Sequence, residues 1–109
     1  MLPKENRLER EKFADILKTG RRVRQDSLTL VYKQSQKTLK IGIVVGKKVA
    51  KKAVDRNKIK RRIRNILIQA VIPSTKAQIE GVIMAYPGTN EKDFKGVKKD
   101  ILEIFSKIN

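Results

Sequence analysis

The chain has 109 residues, 27 of them Lys or Arg against 11 Asp or Glu, and carries a net charge of +16 at neutral pH. With no Cys and no His, it cannot form disulfides, Cys/His metal centres, a Cys nucleophile or a Ser-His-Asp triad. Its 39% hydrophobic content is too high for a wholly disordered chain, and self-repulsion of this size makes sense where a polyanion supplies the counter-charge.

That length fits a single domain, here expected to span residues 1–109. The charge is focused: residues 1–46 carry +6, residues 47–64 carry +9 and residues 65–109 only +1. Nucleic acid leads as the compensating partner, ahead of an anionic membrane surface. No run of about 18 apolar residues could span a bilayer, and "MLPKENRLERE" resembles neither a secretory signal nor an acid-poor transit peptide. A cytoplasmic location is expected, since the lack of Cys permits it.

In chain order, the first helix is predicted over about Glu9 to Lys18, with Phe13, Ile16 and Leu17 on one face and Thr19-Gly20 as a stop. Asn6 and Glu9 offer a capping box. Two alternating runs follow. "SLTLVY" places Leu28, Leu30 and Tyr32 on one side, and "TLKIGIVV" does the same with Leu39, Ile41, Ile43 and Val45. The polar "KQSQK" between them reads as a hairpin loop, with extra pairing near Arg22 to Arg24.

The second helix is predicted from an Asp55 cap, with Ile59, Ile63, Ile66, Leu67 and Ala70 on one stripe and Pro73 closing it. Asn57, Lys58, Arg61 and Arg64 fall on the opposite side, with Lys60 and Arg62 flanking. Residues 73–80 are open between loop and helical turn. "GVIMAY" reads as a buried strand, "PGTN" as a turn, and the last helix carries Phe94, Val97, Ile101, Ile104, Phe105 and Ile108, capped by Asn90. The order is α-β-β-(β)-α-β-α: an α+β single-domain sandwich, with helices packed on a small mixed sheet.

Solvated helix faces usually mix signs, but no acid stands from Arg56 through Arg64. Together with Lys47, Lys48, Lys51 and Lys52, this ridge is a nucleic-acid footprint in which Arg can clamp phosphate bidentately and Lys acts as a point charge. Asn57 could read a base edge or hydrogen-bond the helix start. Phe13 and Leu17 are core residues or, with Tyr32, stacking platforms in a sheet-lined cleft for a single strand. Aromatics make up only 5% of the chain, so phosphate contact must dominate affinity.

For catalysis the sequence offers no candidate. Glu9, Glu11 and Asp15 read as helix-face charges rather than a metal site, and "VVGKKV" lacks the other glycines and the Ser/Thr of a P-loop. Neither a small-molecule substrate nor a membrane partner is expected.

The stretch "VVGKKVAKKAVDRNKIKRRIRN" resembles the signature of the bacterial ribonuclease P protein subunit, through Lys47, Lys48, Val49, Ala53, Val54, Arg56, Asn57, Lys60, Arg61 and Arg64. "RLEREKFADILKTGRRV" and "LTLVY" are similar to that family's opening helix and first strand. The resemblance implies a ribosomal-protein-S5-domain-2-like fold with a left-handed βαβ crossover, against the general handedness rule. It also implies an accessory subunit of an endoribonuclease whose catalytic RNA removes the 5′ leader of precursor tRNA. Lys47, Lys48, Lys51, Lys52, Arg56, Asn57, Lys58, Lys60, Arg61, Arg62 and Arg64 would meet the catalytic RNA. Phe13, Leu17 and Tyr32 would hold the leader. The protein would bind no cofactor of its own, with Mg²⁺ entering through the RNA.

Departures from the family pattern are Lys58 where Arg is usual, Asn65 for a frequent Glu, Gly46 for a frequent Ser, Tyr86 near a position often Arg, and Leu17 at a site that can be aromatic. Lys58 loses bidentate geometry, and Leu17 removes one stacking platform. The alternative reading is a ribosomal or general RNA-binding structural protein, told apart by copurification with ribosomes rather than with one catalytic RNA.

Overall fold

The computed structural model describes residues 2–108. A four-stranded sheet is built from β1 (Arg21–Gln25), β2 (Leu28–Gln34), β3 (Lys40–Val45) and β4 (Ile79–Ala85) in the spatial order β1-β2-β4-β3. β1 and β2 form the tight hairpin, joined through Asp26 and Ser27, with Asp26 at φ 54° as the first position of a primed turn demands. The pairing expected near Arg22 to Arg24 is therefore a full strand.

The hairpin predicted between "SLTLVY" and "TLKIGIVV" does not form. β4 inserts between them, antiparallel to β2 and parallel to β3. Val82 and Ile83, adjacent and facing opposite ways, are both buried, so β4 has two apolar faces and belongs at the centre of the sheet. Residues 35–39 cross beneath it, with the Ser35 amide donating to the Gln78 carbonyl at 2.8 Å.

Helices cover both faces. Helix α2 (Ala53–Ile66) and helix α3 (Phe94–Ser106) lie on one side, where Ile59, Ile63, Ile66 and Leu67 meet Leu28, Leu30, Tyr32, Ile41, Ile83, Val97, Ile101, Ile104 and Phe105. Each such buried side chain contributes about 1.5–3 kcal/mol before chain entropy is counted. Helix α1 (Phe13–Thr19), preceded by a 3₁₀ turn at Arg10–Lys12, lies on the other side over Val31 and Val82.

The unit β3-α2-β4 is left-handed, as the resemblance implies. Ile41 points its side chain into the α2 core and its carbonyl outward, where the Leu8 amide donates to it at 3.3 Å. Seen from the α2 side with β3 running up, an L-residue so placed has its carbonyl on the right, so β4 lies on the left.

The caps differ from those expected. Asn6 sits buried in a 3₁₀ turn, donating through Nδ2 to the Leu39 carbonyl at 2.7 Å, and makes no capping box. Helix α2 starts at Ala53, leaving Asp55 in the first turn where it favours the helix dipole without capping it. Asp93, not Asn90, caps α3, accepting from the Gly96 amide at 2.8 Å. Helix α2 ends in a wider turn over Leu67–Val71, with Ile72 N donating to Leu67 O at 2.8 Å before Pro73 ends the helical run. Phe94 is 39% exposed rather than core, because it opens α3 one residue after the cap.

Candidate nucleic-acid interface

Helix α2 buries Ile59, Ile63 and Ile66, and this fixes which residues turn outward. Asn57, Lys58 and Arg61 are exposed; Arg56, Lys60, Arg62 and Arg64 are half-buried. Two of the guanidiniums also hold the fold together. Arg56 Nη1 donates to the carbonyls of Ala50 (3.0 Å) and Lys51 (2.7 Å), fixing the connection from β3 to α2. Arg62 Nη1 donates to the Lys92 carbonyl at 2.9 Å, tying α2 to the segment before α3. In the connection, Val49 is buried as an anchor while Lys47, Lys48, Lys51 and Lys52 are exposed.

No acid among the described residues forms an ion pair with this surface. Among the described residues, the ion pairs are Lys12 with Glu9 and Glu80, Lys33 with Asp15, Lys40 with Glu9, and Lys92 with Asp26 and Asp100. All lie outside residues 47–64. The 10 cations and one acid of that stretch are therefore left to an external counter-charge.

Pairing across the sheet lines up Arg22, Val31, Val82 and Gly42 in one row and Arg24, Thr29, Met84 and Val44 in the next. Helix α1 covers the first row: Ile16 is only 2% exposed, and the Phe13 ring lies against Gly42. Lys12, bonded to Glu80 (2.8 Å), and Lys33, bonded to Asp15 (2.9 Å), fasten the helix to the strands. Hydrogen bonds from Lys40 and then Lys12 hold the Glu9 carboxyl below its usual range, and hydrogen bonds to Glu80 and then Glu9 raise the Lys12 ammonium.

The second row stays partly open. Val44 and Met84 form a half-buried floor beside Phe13 and Leu17. At its β1 end, the Arg24 guanidinium stands 6.0 Å from the centroid of the Tyr86 ring, and the Tyr86 hydroxyl points to the Met84 sulfur at 3.7 Å. Arg22 donates to the Leu17 carbonyl at 3.1 Å along the same rim. The floor is apolar, its rim is cationic, and one aromatic ring stands at either side: the features of a groove for single-stranded nucleic acid.

Phe13 and Leu17 thus share this groove, but Tyr32 does not. Tyr32 is 7% exposed and packs with Leu28 and Leu30 in the α2 and α3 core, on the opposite face of the sheet. Strand alternation puts Val31 under α1 instead, so Tyr32 cannot stack on a base held by Phe13. Sequence reasoning missed Arg22, Arg24, Val44, Met84 and Tyr86. The alternation that grouped Leu28, Leu30 and Tyr32 could have removed Tyr32, had the side taken by α1 been known. No three His, Cys, Asp or Glu side chains among the described residues gather to hold a metal ion.

The ribonuclease P family model matches residues 2–109. This chain belongs to the ribonuclease P protein family. It is 40% identical over 109 residues to the ribonuclease P protein component of Dictyoglomus turgidum, covering 96% of this chain and 90% of that one. Against the ribonuclease P protein component of Microcystis aeruginosa, identity is 32% over 114 residues, covering 99% and 94%. The solved ribonuclease P protein from Thermotoga maritima superposes with a TM-score of 0.84 at 26% identity, over 94% of this chain and 97% of that one. The Staphylococcus aureus protein shares the fold with a TM-score of 0.83 at 23% identity. Family membership favours a ribonuclease P subunit over the ribosomal alternative.

Proposed function

We propose that this protein is the accessory subunit of a tRNA-maturing endoribonuclease. It binds a catalytic RNA through the ridge of α2 and the lysines before it, and grips the single-stranded 5′ leader of precursor tRNA in the groove beside α1. The observation that carries this reading is the α2 cation cluster, which makes no ion pair among the described residues, in a chain of the ribonuclease P family. Neutralising crowded phosphates lets the RNA, the substrate and RNA-bound Mg²⁺ approach one another, and the magnesium ions supply the hydrolytic chemistry with the RNA. The protein's own groups bind and orient.

On this reading Lys47, Lys48, Lys51, Lys52, Lys58, Lys60, Arg61 and Arg64 contact phosphates, while Arg56 and Arg62 split their donors between RNA and the fold. Phe13, Leu17, Met84 and Tyr86 give the leader an apolar bed, and Arg22 and Arg24 meet its phosphates. The work is done in the cytoplasm. The test is reconstitution: purified protein added to catalytic RNA at low Mg²⁺ is expected to restore 5′ processing of precursor tRNA. Cleavage by the protein without RNA, or no stimulation of any catalytic RNA, would overturn the proposal.

A further inference from the structure

Beyond the ridge and the groove, the outer edge of β3 carries a third feature. Strand β3 is paired with β4 on one side only, and on the other its described partner is the bridge from Arg7 to Ile41. Beside this edge, between the N-terminal segment and α2, lies a cleft of about 290 Å³. Its walls bring together Arg7 and Arg10 from the N-terminal segment with Lys60 and Arg64 from α2, and no acid lines it. Ile43, Leu8 and the Phe13 ring are among its apolar surfaces.

The four cations are not spent on one another's neighbours. Glu9, next to Arg10 in sequence, is engaged by Lys40 at 3.0 Å and Lys12 at 3.1 Å. Arg10, Lys60 and Arg64 take part in no side-chain hydrogen bond or ion pair of the described structure. Arg7 is aimed by its Nε donating to the Leu2 carbonyl at 2.8 Å. Cations gathered over an apolar floor fit a ligand with an anionic group and a flat apolar body. The volume sits at the lower bound of small-molecule sites, roughly 300 Å³, too small for a paired stem.

We propose that this cleft is a binding site for one unpaired RNA nucleotide, its phosphate held among Arg7, Arg10, Lys60 and Arg64 and its base laid against Ile43 and the edge of Phe13. The inference rests on the RNA-binding reading above, because Lys60 and Arg64 make the cleft continuous with the α2 ridge. It adds the N-terminal segment to the RNA surface. That nucleotide comes either from the catalytic RNA or from the precursor leader, and both present the same phosphate and base.

The test uses the full chain and two charge reversals, Arg10→Glu in the cleft and Lys95→Glu on exposed α3, which change net charge equally. Arg10→Glu is expected to weaken RNA affinity about tenfold more than Lys95→Glu, the scale of one charge-assisted contact. A loss seen with catalytic RNA alone assigns the nucleotide to that RNA; a loss seen only for precursor over mature tRNA in the assembled enzyme assigns it to the leader. In amide spectra, uridine 5′-monophosphate is expected to shift Arg7, Leu8 and Ile43. Equal losses for the two variants, with the monophosphate leaving these amides unmoved, would overturn the site. So would shifts produced only by an acidic peptide. Arg61→Ala separates the two failures: if it still weakens RNA binding, the parent reading stands without this site, and if it does not, both fall.

Discussion

The tip of the Phe13 ring occupies the space where Gly42 lacks a side chain: a Cβ built on Gly42 would lie 2.0 Å from Cζ. Helix α1 thereby sinks an aromatic ring onto the backbone of β3, and the ring forms one side of the open groove. Gly42→Ala is expected to push the ring out and destabilise the fold by about 1–3 kcal/mol, the usual cost of overpacking. Thermal unfolding measures the loss. Preference for precursor over mature tRNA is expected to drop with it, whereas affinity for the catalytic RNA is retained.

Groove residues and core residues separate by face. Tyr86→Ala is expected to lower affinity for a single-stranded leader by roughly 1–3 kcal/mol, the worth of one base–aromatic stack, and Met84→Ala by less, because a thioether offers contact without a ring face. Tyr32→Phe, on the α2 side, is expected to leave leader affinity unchanged. Leader oligonucleotide titrations check all three, and a Tyr32→Phe loss equal to that of Tyr86→Ala would place the groove on the wrong face.

The ridge divides in the same way. Arg61 is exposed and its side chain makes no hydrogen bond or ion pair among the described residues, so Arg61→Ala is expected to weaken RNA binding with little effect on melting. Arg62→Ala removes the donor to the Lys92 carbonyl and is expected to lower stability by about 1 kcal/mol as well as affinity. Paired melting and RNA-binding curves distinguish the two.

Acid is expected to loosen α1. The Glu9 carboxyl, held down by Lys40 and then Lys12, contributes stability that is present above its ordinary value of 4.5 and is lost as pH falls through its lower folded value. Lys12 and Lys92 are raised by carboxylate partners, Glu80 first and Asp100 first respectively, so their contributions are present below 10.5 and are lost as pH rises through their higher folded values. Amide hydrogen exchange in α1 is the measurement. Faster exchange in Lys40→Met than in the parent at pH 6, with the difference shrinking as pH falls below 4.5 and Glu9 takes up its proton, is the expected pattern.

Local patterns were readable because their determinants are contiguous. The stripe of Ile59, Ile63 and Ile66 fixes α2 and its cationic back without help from the rest of the chain, and the acid-free run from Arg56 to Arg64 needs only one helix to become a surface. Strand order was not readable, because alternation in β2 and β3 is satisfied equally by a hairpin or by β4 between them. The groove draws on α1, β2, β3 and β4 at once, so its membership depends on which face α1 covers. That is why Val44, Met84 and Tyr86 are not assigned to the groove from sequence, and why Tyr32 is wrongly placed there. The cleft at the β3 edge was equally hidden, since Arg7 and Arg10 lie over 50 residues from Arg64 in sequence.

The central claim is that an RNA supplies the counter-charge for α2 and its preceding loop, and the salt dependence of affinity tests it most directly. For about 6–10 phosphate contacts, a plot of log affinity for the catalytic RNA against log salt is expected to fall with a slope of roughly −5 to −9, losing about 10³–10⁵ between low and moderate salt. Replacing Lys58, Arg61 and Arg64 together by Ala is expected to flatten that slope by about 2 to 3. An affinity that barely changes with salt, or a slope untouched by the triple replacement, would contradict the account.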